Sequence, residues 1–190
     1  MDQDEFFAKA FGLTDKNIIK AVMNVMSIQE FKKNELIFKA GDIPANFYFN
    51  LEGIFRGFIL NEDGTEITDC LGYEVGAPIA AVNRIGETAI SNVEAVTDLK
   101  AVKLPMSELM LLIESYPELI VIYNNLLQSA LNKHWEIKDI RYRLTASERY
   151  QWFLNKYPHL IDHVHLKDIA SFLGMTPVSI SRIRAELHEN

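Results

Sequence analysis

The sequence predicts an α+β protein: an antiparallel β-roll, then a long helix, then a C-terminal pair of helices joined by a tight turn. Three observations carry this. Short runs of aromatic and β-branched residues between turn signals fill the stretch from Glu30 to Pro105. Helical periodicity returns after Pro105 and persists to about residue 143. The last quarter holds two apolar helical faces separated by a glycine. At 190 residues, 48% apolar and 24% charged, with only 9 Gly and 6 Pro, the chain can bury a substantial core, which excludes collagen-like and disordered classes.

From the N-terminus, Phe7, Ala10 and Phe11, then Ile18, Ile19, Val22 and Val25, recur at helical spacing, so two short helices split near Gly12 to Asp15 are expected. The runs 35–38, 47–51, 54–60 and 66–68 read as strands. Between two of them, Asn61-Glu-Asp-Gly64 supplies the Asp-Gly pair of a tight hairpin, because glycine tolerates positive φ. Short strands about every ten residues up to Pro105 predict a small antiparallel barrel or jelly roll.

Residues 107–115 read as a short helix, and Pro117 opens a long one, since proline at a first helical position sacrifices no internal hydrogen bond. Steps of three and four along it give Ile120, Tyr123, Leu127, Ala130, His134 and Ile137, ending on Arg141. This is a heptad seam. Leu119, Ile122, Leu126, Leu131 and Trp135 form further apolar positions outside it. Two stripes need two surfaces: either one packs on a second copy of the chain, or both are buried within one chain. The few elements that 190 residues offer favour the homodimer. Polar His134 and Arg141 would set register or mark the seam's end.

In the last quarter, Leu166, Ile169, Ala170 and Leu173 form one apolar helical face, Gly174 suits a left-handed helix end, and Thr176 caps a second helix with Pro177 at its first position. Ile180, Ile183 and Leu187 are the second helix's inner face, while Val178, Ser181, Arg182 and Ala185 face outward. This is a helix-turn-helix, which predicts duplex DNA as partner. Arg182 is suited to a guanine edge or a phosphate, and Lys167 and Arg184 to phosphates. The candidate contact set is Lys167, Thr176, Pro177, Val178, Ser179, Ser181, Arg182 and Arg184.

The charge distribution agrees. The net charge of −7 hides 12 Lys+Arg against 21 Asp+Glu up to residue 140, and 7 against 5 from 141 onward, so the motif lies in the basic quarter. A wing hairpin between Lys156 and His165 is a further expectation, with none after the second helix because only three residues follow Leu187. Expected domains are 1–105 for the roll with its N-terminal helices, 106–143 for the linker and dimer helix, and 144–190 for the helix-turn-helix. The single cysteine, Cys70, excludes an internal disulfide and points to a reducing, cytoplasmic setting, where it reads as small buried filler. No basic leader and no apolar run of roughly 18 residues suggests a membrane.

With these motifs in view, the chain from residue 5 to 188 resembles the Crp/Fnr transcription regulators. The resemblance rests on Gly41-Asp-Ile-Pro-Ala-Asn-Phe-Tyr-Phe-Asn-Leu-Glu-Gly53, on Glu62-Asp-Gly-Thr-Glu66, and most specifically on the stretch from Leu144 to Arg184, which is similar to the Bacteroidetes-type branch. It implies a cyclic-nucleotide-binding-like roll, a dimer helix and a winged-helix-type DNA-binding domain. RNA polymerase is a further implied partner. Arg182 matches the family's recognition-helix arginine, whereas Pro177 and Val178 replace side chains that read bases in other members and cannot form bidentate hydrogen bonds.

The implied effector pocket comprises Gly76, Ala77, Arg84, Ala89 and Ser91. Nucleotide-binding members carry Gly-Glu and then Arg-Ser-Ala here; in this chain Ala77 follows Gly76, and Ala89, Ile90 and Ser91 stand in place of the second motif. A buried phosphate without a charged partner is costly, so cyclic AMP is not the expected effector. An unidentified small molecule or no effector at all is expected. No histidine precedes His134, and one thiol cannot hold an iron–sulfur cluster, so neither metal nor cofactor is expected. His163 and His165 alternate as strand residues would, without a third ligand. No nucleophile, acid–base set or phosphate loop suggests an enzyme. The alternative reading is a ligand-binding roll whose terminal helices make protein contacts.

Overall fold

The computed structural model describes residues 3–81 and 86–188. The chain divides into two compact units: Met1–Gly57 with Leu71–Gln128, and Phe58–Cys70 with Ser129–Asn190. The expected order of elements is present, from helices α1 (Gln3–Phe11) and α2 (Lys16–Val25), through strands β1 (Ser27–Phe31), β2 (Leu36–Phe38), β3 (Asn46–Glu52), β4 (Phe55–Leu60), β5 (Glu66–Gly72), β6 (Pro78–Ile79), β7 (Asn92–Ala95) and β8 (Leu99–Pro105), to helix α3 (Met106–Ser115). Four further helices follow: α4 (Glu118–Arg143), α5 (Ala146–Lys156), α6 (Leu166–Phe172) and α7 (Pro177–His188).

The strands form two four-stranded sheets, ordered β1-β8-β3-β6 and β2-β7-β4-β5, the arrangement of a jelly roll. Strand β8 lies antiparallel between β1 and β3, with Val102 opposite both Ile28 and Phe49. Inside the roll Phe31, Tyr48, Phe55, Ile79, Ala81, Ala89, Val93, Ala95, Leu99 and Ala101 make one buried cluster. Its aromatic rings meet edge-on or tilted: Phe31 and Tyr48 have centroids 5.3 Å apart, and Phe38 and Tyr48 5.5 Å. Burial raises the Tyr48 phenol above its ordinary pKa, against a smaller lowering by Asn46.

A second cluster joins the N-terminal helices to the roll's flank. Phe6, Phe7, Leu13, Ile18, Ile19 and Val22 pack with Phe47, Val102 and Leu104 of the sheet and with Leu112 and Leu119 of the following helices. The break between α1 and α2 has local causes: Gly12 takes φ +66°, and the Asp15 carboxylate caps α2 by accepting from the amides of Asn17 and Ile18.

Polar groups inside the first unit are tied to the turns. Asn50 is fully buried, and its Nδ2 donates to the carbonyls of Gly53 and Tyr73 at 3.2 and 3.0 Å. Its backbone completes the tie, donating to Ala77 O at 2.9 Å and accepting from Gly76 N at 2.7 Å. Arg56 Nε on β4 bonds Glu94 Oε1 on neighbouring β7 at 2.8 Å, with the arginine side chain only 3% exposed. Replacing one partner of such a buried pair strands the other charge.

Two expectations are corrected. Cys70 is half-buried rather than core filler. The segment 157–165 holds no strand: it is a run of turns in which Leu160 N bonds Tyr157 O and His163 N bonds Leu160 O, so no wing hairpin forms there, and His163 and His165 are exposed, the latter at the N-cap position of α6. None of the described helices is long and apolar enough to cross a membrane.

Asn50→Ala is expected to cost about 1–3 kcal/mol in denaturant unfolding, by removing the buried Nδ2 donor that reaches the carbonyls of Gly53, Tyr73 and Glu74. Asn50→Asp should cost more. Its carboxyl would face carbonyl oxygens, so folding raises its pKa and the extra loss sets in as pH climbs above the ordinary carboxyl range.

Candidate functional site

The second unit is built around the helix-turn-helix. Its core is aromatic and aliphatic: Phe153, Leu160, Ile169, Ala170 and Ile180 are fully buried, and Phe172 and Leu173 nearly so. Phe172 meets the rings of Phe153 and Tyr157 at 6.1 Å each. Ala170 has the small side chain that close packing of α6 and α7 requires.

The turn between these helices is fixed by its backbone. Gly174 takes φ +66°, Gly174 N bonds Ser171 O at 3.0 Å, and Met175 N bonds Ala170 O at 2.8 Å. These two bonds are a Schellman motif, which ends α6 where the sequence placed its glycine. Thr176 Oγ1 accepts from Ser179 N at 3.1 Å and shares a 2.8 Å hydrogen bond with Ser179 Oγ, capping α7, while Pro177 occupies the first helical position.

Arg141, where the heptad count ends, turns its side chain to the end of α6. It does not lie on a free seam. Its Nε and Nη2 both donate to Phe172 O, at 3.1 and 2.5 Å, satisfying carbonyls at the end of α6. Its methylenes lie 3.6–3.7 Å from the point where a Cβ on Gly174 would stand. Burial lowers the guanidinium's pKa, opposed by the Asp69 carboxylate, and Arg149 Nη1 in turn bonds Arg141 O at 3.0 Å. A capping box then starts α5: Thr145 Oγ1 accepts from Glu148 N, and the Glu148 carboxylate accepts from Thr145 N at 2.8 Å. Hydrogen bonds from the Thr145 side chain and backbone hold the Glu148 carboxyl below its ordinary pKa, so its contribution is present above the ordinary glutamate range and is lost as pH falls through the depressed value.

The hairpin of residues 58–70 belongs to this same unit. Its turn is the expected one: Gly64 has φ +81° and Gly64 N bonds Asn61 O at 3.0 Å. Thr68 N donates to Ser171 Oγ at 2.9 Å, and Ser171 Oγ donates to Glu66 O at 3.4 Å, so one hydroxyl on α6 engages the hairpin backbone as acceptor and donor. Lys167 Nζ stands 4.0 Å from Glu66 Oε2. Sequence reasoning missed Ser171, Thr68 and Glu66; pairs a hundred residues apart leave no spacing signal.

The contact candidates are placed as follows. Val178, Ser181, Arg182 and Arg184 are exposed, Thr176 and Pro177 also, Ser179 is half-buried, and Lys167 is exposed beside Glu66. Ile180 and Ile183 face inward. On α4, Ile120 and Leu127 are exposed, Tyr123 and Ala130 half-buried, His134 exposed and Ile137 buried by its own chain. The exposed apolar positions of α4 are therefore Ile120, Val121 and Leu127 in the first unit and Leu131 and Trp135 in the second. In the roll, Gly76, Ala89 and Ser91 are buried and Ala77 half-buried; Arg84 lies outside the described residues. Among the described residues, no three His, Cys, Asp or Glu side chains cluster to hold a metal.

A jelly roll, a long helix and a helix-turn-helix with an exposed outer face on its second helix make up the described elements. Residues 28–116 match the cyclic nucleotide-binding domain family. Over most of its length the chain is similar to FixK2 from Bradyrhizobium japonicum, at 19% identity over 87% of this chain and 85% of that one, with a TM-score of 0.77. It is similar to the c-di-GMP responsive global regulator CLP of Xanthomonas campestris, at 14% identity over 92% of each chain and TM-score 0.74. A Crp/Fnr-family transcriptional regulator from Thermus thermophilus aligns at 19% identity over 86% of each chain, with TM-score 0.71. No curated protein matches the sequence. The chain thus shares the fold of solved Crp/Fnr-family regulators, as its motifs led us to expect, with residues 28–116 similar to the cyclic nucleotide-binding domain.

Arg141→Ala should destabilise the second unit by about 2 kcal/mol, measured by chemical unfolding, because two charge-assisted bonds to one carbonyl are lost. Arg141→Lys should recover little, since an ammonium cannot reproduce the planar fork.

Proposed function

We propose that the chain is a homodimeric, sequence-specific DNA-binding transcriptional regulator of the Crp/Fnr type that is not controlled by cyclic AMP. The observation that carries this reading is the outward face of α7: Val178, Ser181, Arg182 and Ala185 stand exposed on a helix whose start is fixed by the Thr176 cap. Short side chains around one arginine let a helix backbone sit deep in a major groove while the arginine reaches a base edge. Arg184 and Lys167 flank that face as phosphate contacts, and RNA polymerase is the machinery such a regulator would act upon.

The exposed α4 side chains Ile120, Val121, Leu127, Leu131 and Trp135 supply the surface for a second copy. Two copies present two recognition helices to a palindromic site. Rejection of cyclic AMP rests on buried Ala89 in place of a phosphate-binding arginine and on the aromatic filling of the roll by Phe31, Phe38, Tyr48 and Phe55. The roll then answers another small molecule or none. No catalytic role is assigned.

Selection of duplexes from a random pool, with and without cyclic AMP, should recover the same palindromic consensus. Arg182→Ala should abolish specific binding, and wild-type affinity should fall steeply with salt, because phosphate contacts release counterions; affinity indifferent to salt and to Arg182 favours a protein partner instead. Leu131→Asp should shift the protein to a monomer in sedimentation and weaken palindrome binding while leaving the thermal transition of the helix-turn-helix in place.

A further inference from the structure

Resting on the DNA-regulator reading, we infer that Val178 selects a thymine by its 5-methyl group, next to or one step from the guanine read by Arg182. Ser181 Oγ donates to Pro177 O at 2.8 Å, so the single hydroxyl proton is spent inside the helix and only lone pairs face outward. Val178 and Ala185 have no polar atoms. Arg182 is therefore the only side chain of that four-residue face with protons to offer a base, and the bidentate acceptor pair on guanine is its match.

Val178 is the other feature of that face. It is 67% exposed, in the first turn of α7, with Pro177 also exposed beside it. A β-branched side chain in a helix is held close to one rotamer, so its two methyls point in a fixed direction without further ordering cost. Water is a poor partner for them. On the floor of a major groove the one apolar group is the thymine C5-methyl, and contact with it removes both surfaces from water. A carboxylate or amide at this position would have read cytosine or adenine; valine offers no acceptor to either and gains burial only against the thymine methyl. Four residues separate Val178 from Arg182, about 6 Å of helix rise, against about 3.4 Å per base step, so the two bases lie within about two steps of each other.

The test uses full-length protein and a palindromic duplex recovered from the random pool, resynthesised with deoxyuridine at each thymine in turn, both half-sites together. Fluorescence anisotropy should show one thymine position, within about two steps of the guanine whose identity ceases to matter in Arg182→Ala, where uracil weakens binding about fourfold per half-site, the loss expected for one methyl's burial. Other thymines should tolerate uracil. Val178→Ala should weaken the thymine duplex and bring the thymine-to-uracil ratio at that position close to one, and 5-methylcytosine placed there should bind better than cytosine. Wild-type protein that binds the selected duplex yet accepts uracil everywhere, or a Val178→Ala variant that keeps the full ratio, overturns the inference while the regulator reading stands. Failure to recover any duplex removes the regulator reading and the inference with it.

Discussion

The second unit depends on how one set of backbone carbonyls is satisfied. The end of α6 leaves orphan C=O groups, and a short seven-residue helix has little internal redundancy to absorb them. Two sources converge there: the amides of Gly174 and Met175 close the Schellman turn, and Arg141 from the last turn of α4 donates twice to Phe172 O, while the Ser171 side chain ties the same end of α6 to the 58–70 hairpin. The direction in which α7 leaves the turn follows from these bonds. An interface that reads base edges requires such positional definition, because a side chain displaced by an ångström loses a bidentate contact.

The first unit solves a different problem. Aromatic packing fills part of its roll, with Tyr48 meeting both Phe31 and Phe38. Its buried polar groups are spent on the scaffold: Asn50 gathers carbonyls from two turns, and Arg56 is held by Glu94 on the neighbouring strand. Ala89, at the position where the sequence motifs look for a phosphate-binding arginine, is buried.

Much of this was legible in the chain itself because the signals were local. Gly64 within a hairpin, Gly174 after an apolar face, Thr176 ahead of Pro177 and Asp15 ahead of Ile18 each encode a turn or cap through chemistry spanning four residues or fewer. Where the determining partner was distant, local pattern misled. Arg141 falls on the heptad count simply because any residue at the right interval does, and nothing near it announces the Phe172 carbonyl thirty-one residues on. Ile137, read as seam, is buried by its own chain, since a straight helix drifts away from a seven-residue repeat. The wing hairpin expected between Lys156 and His165 gives way to turn-forming bonds such as His163 N to Leu160 O. Of the candidate interface, the exposed face of α7 followed from spacing; the hairpin that bonds α6 did not.

The hydroxyl of Ser171 has one further consequence, for anyone exchanging parts between regulators of this architecture. A cut at the end of the long helix would leave that oxygen facing a foreign loop, without the Thr68 amide and Glu66 carbonyl that now complete it. The transferable module is discontinuous: residues 58–70 must travel with the segment from Ser129 onward, two pieces of sequence that behave as one part.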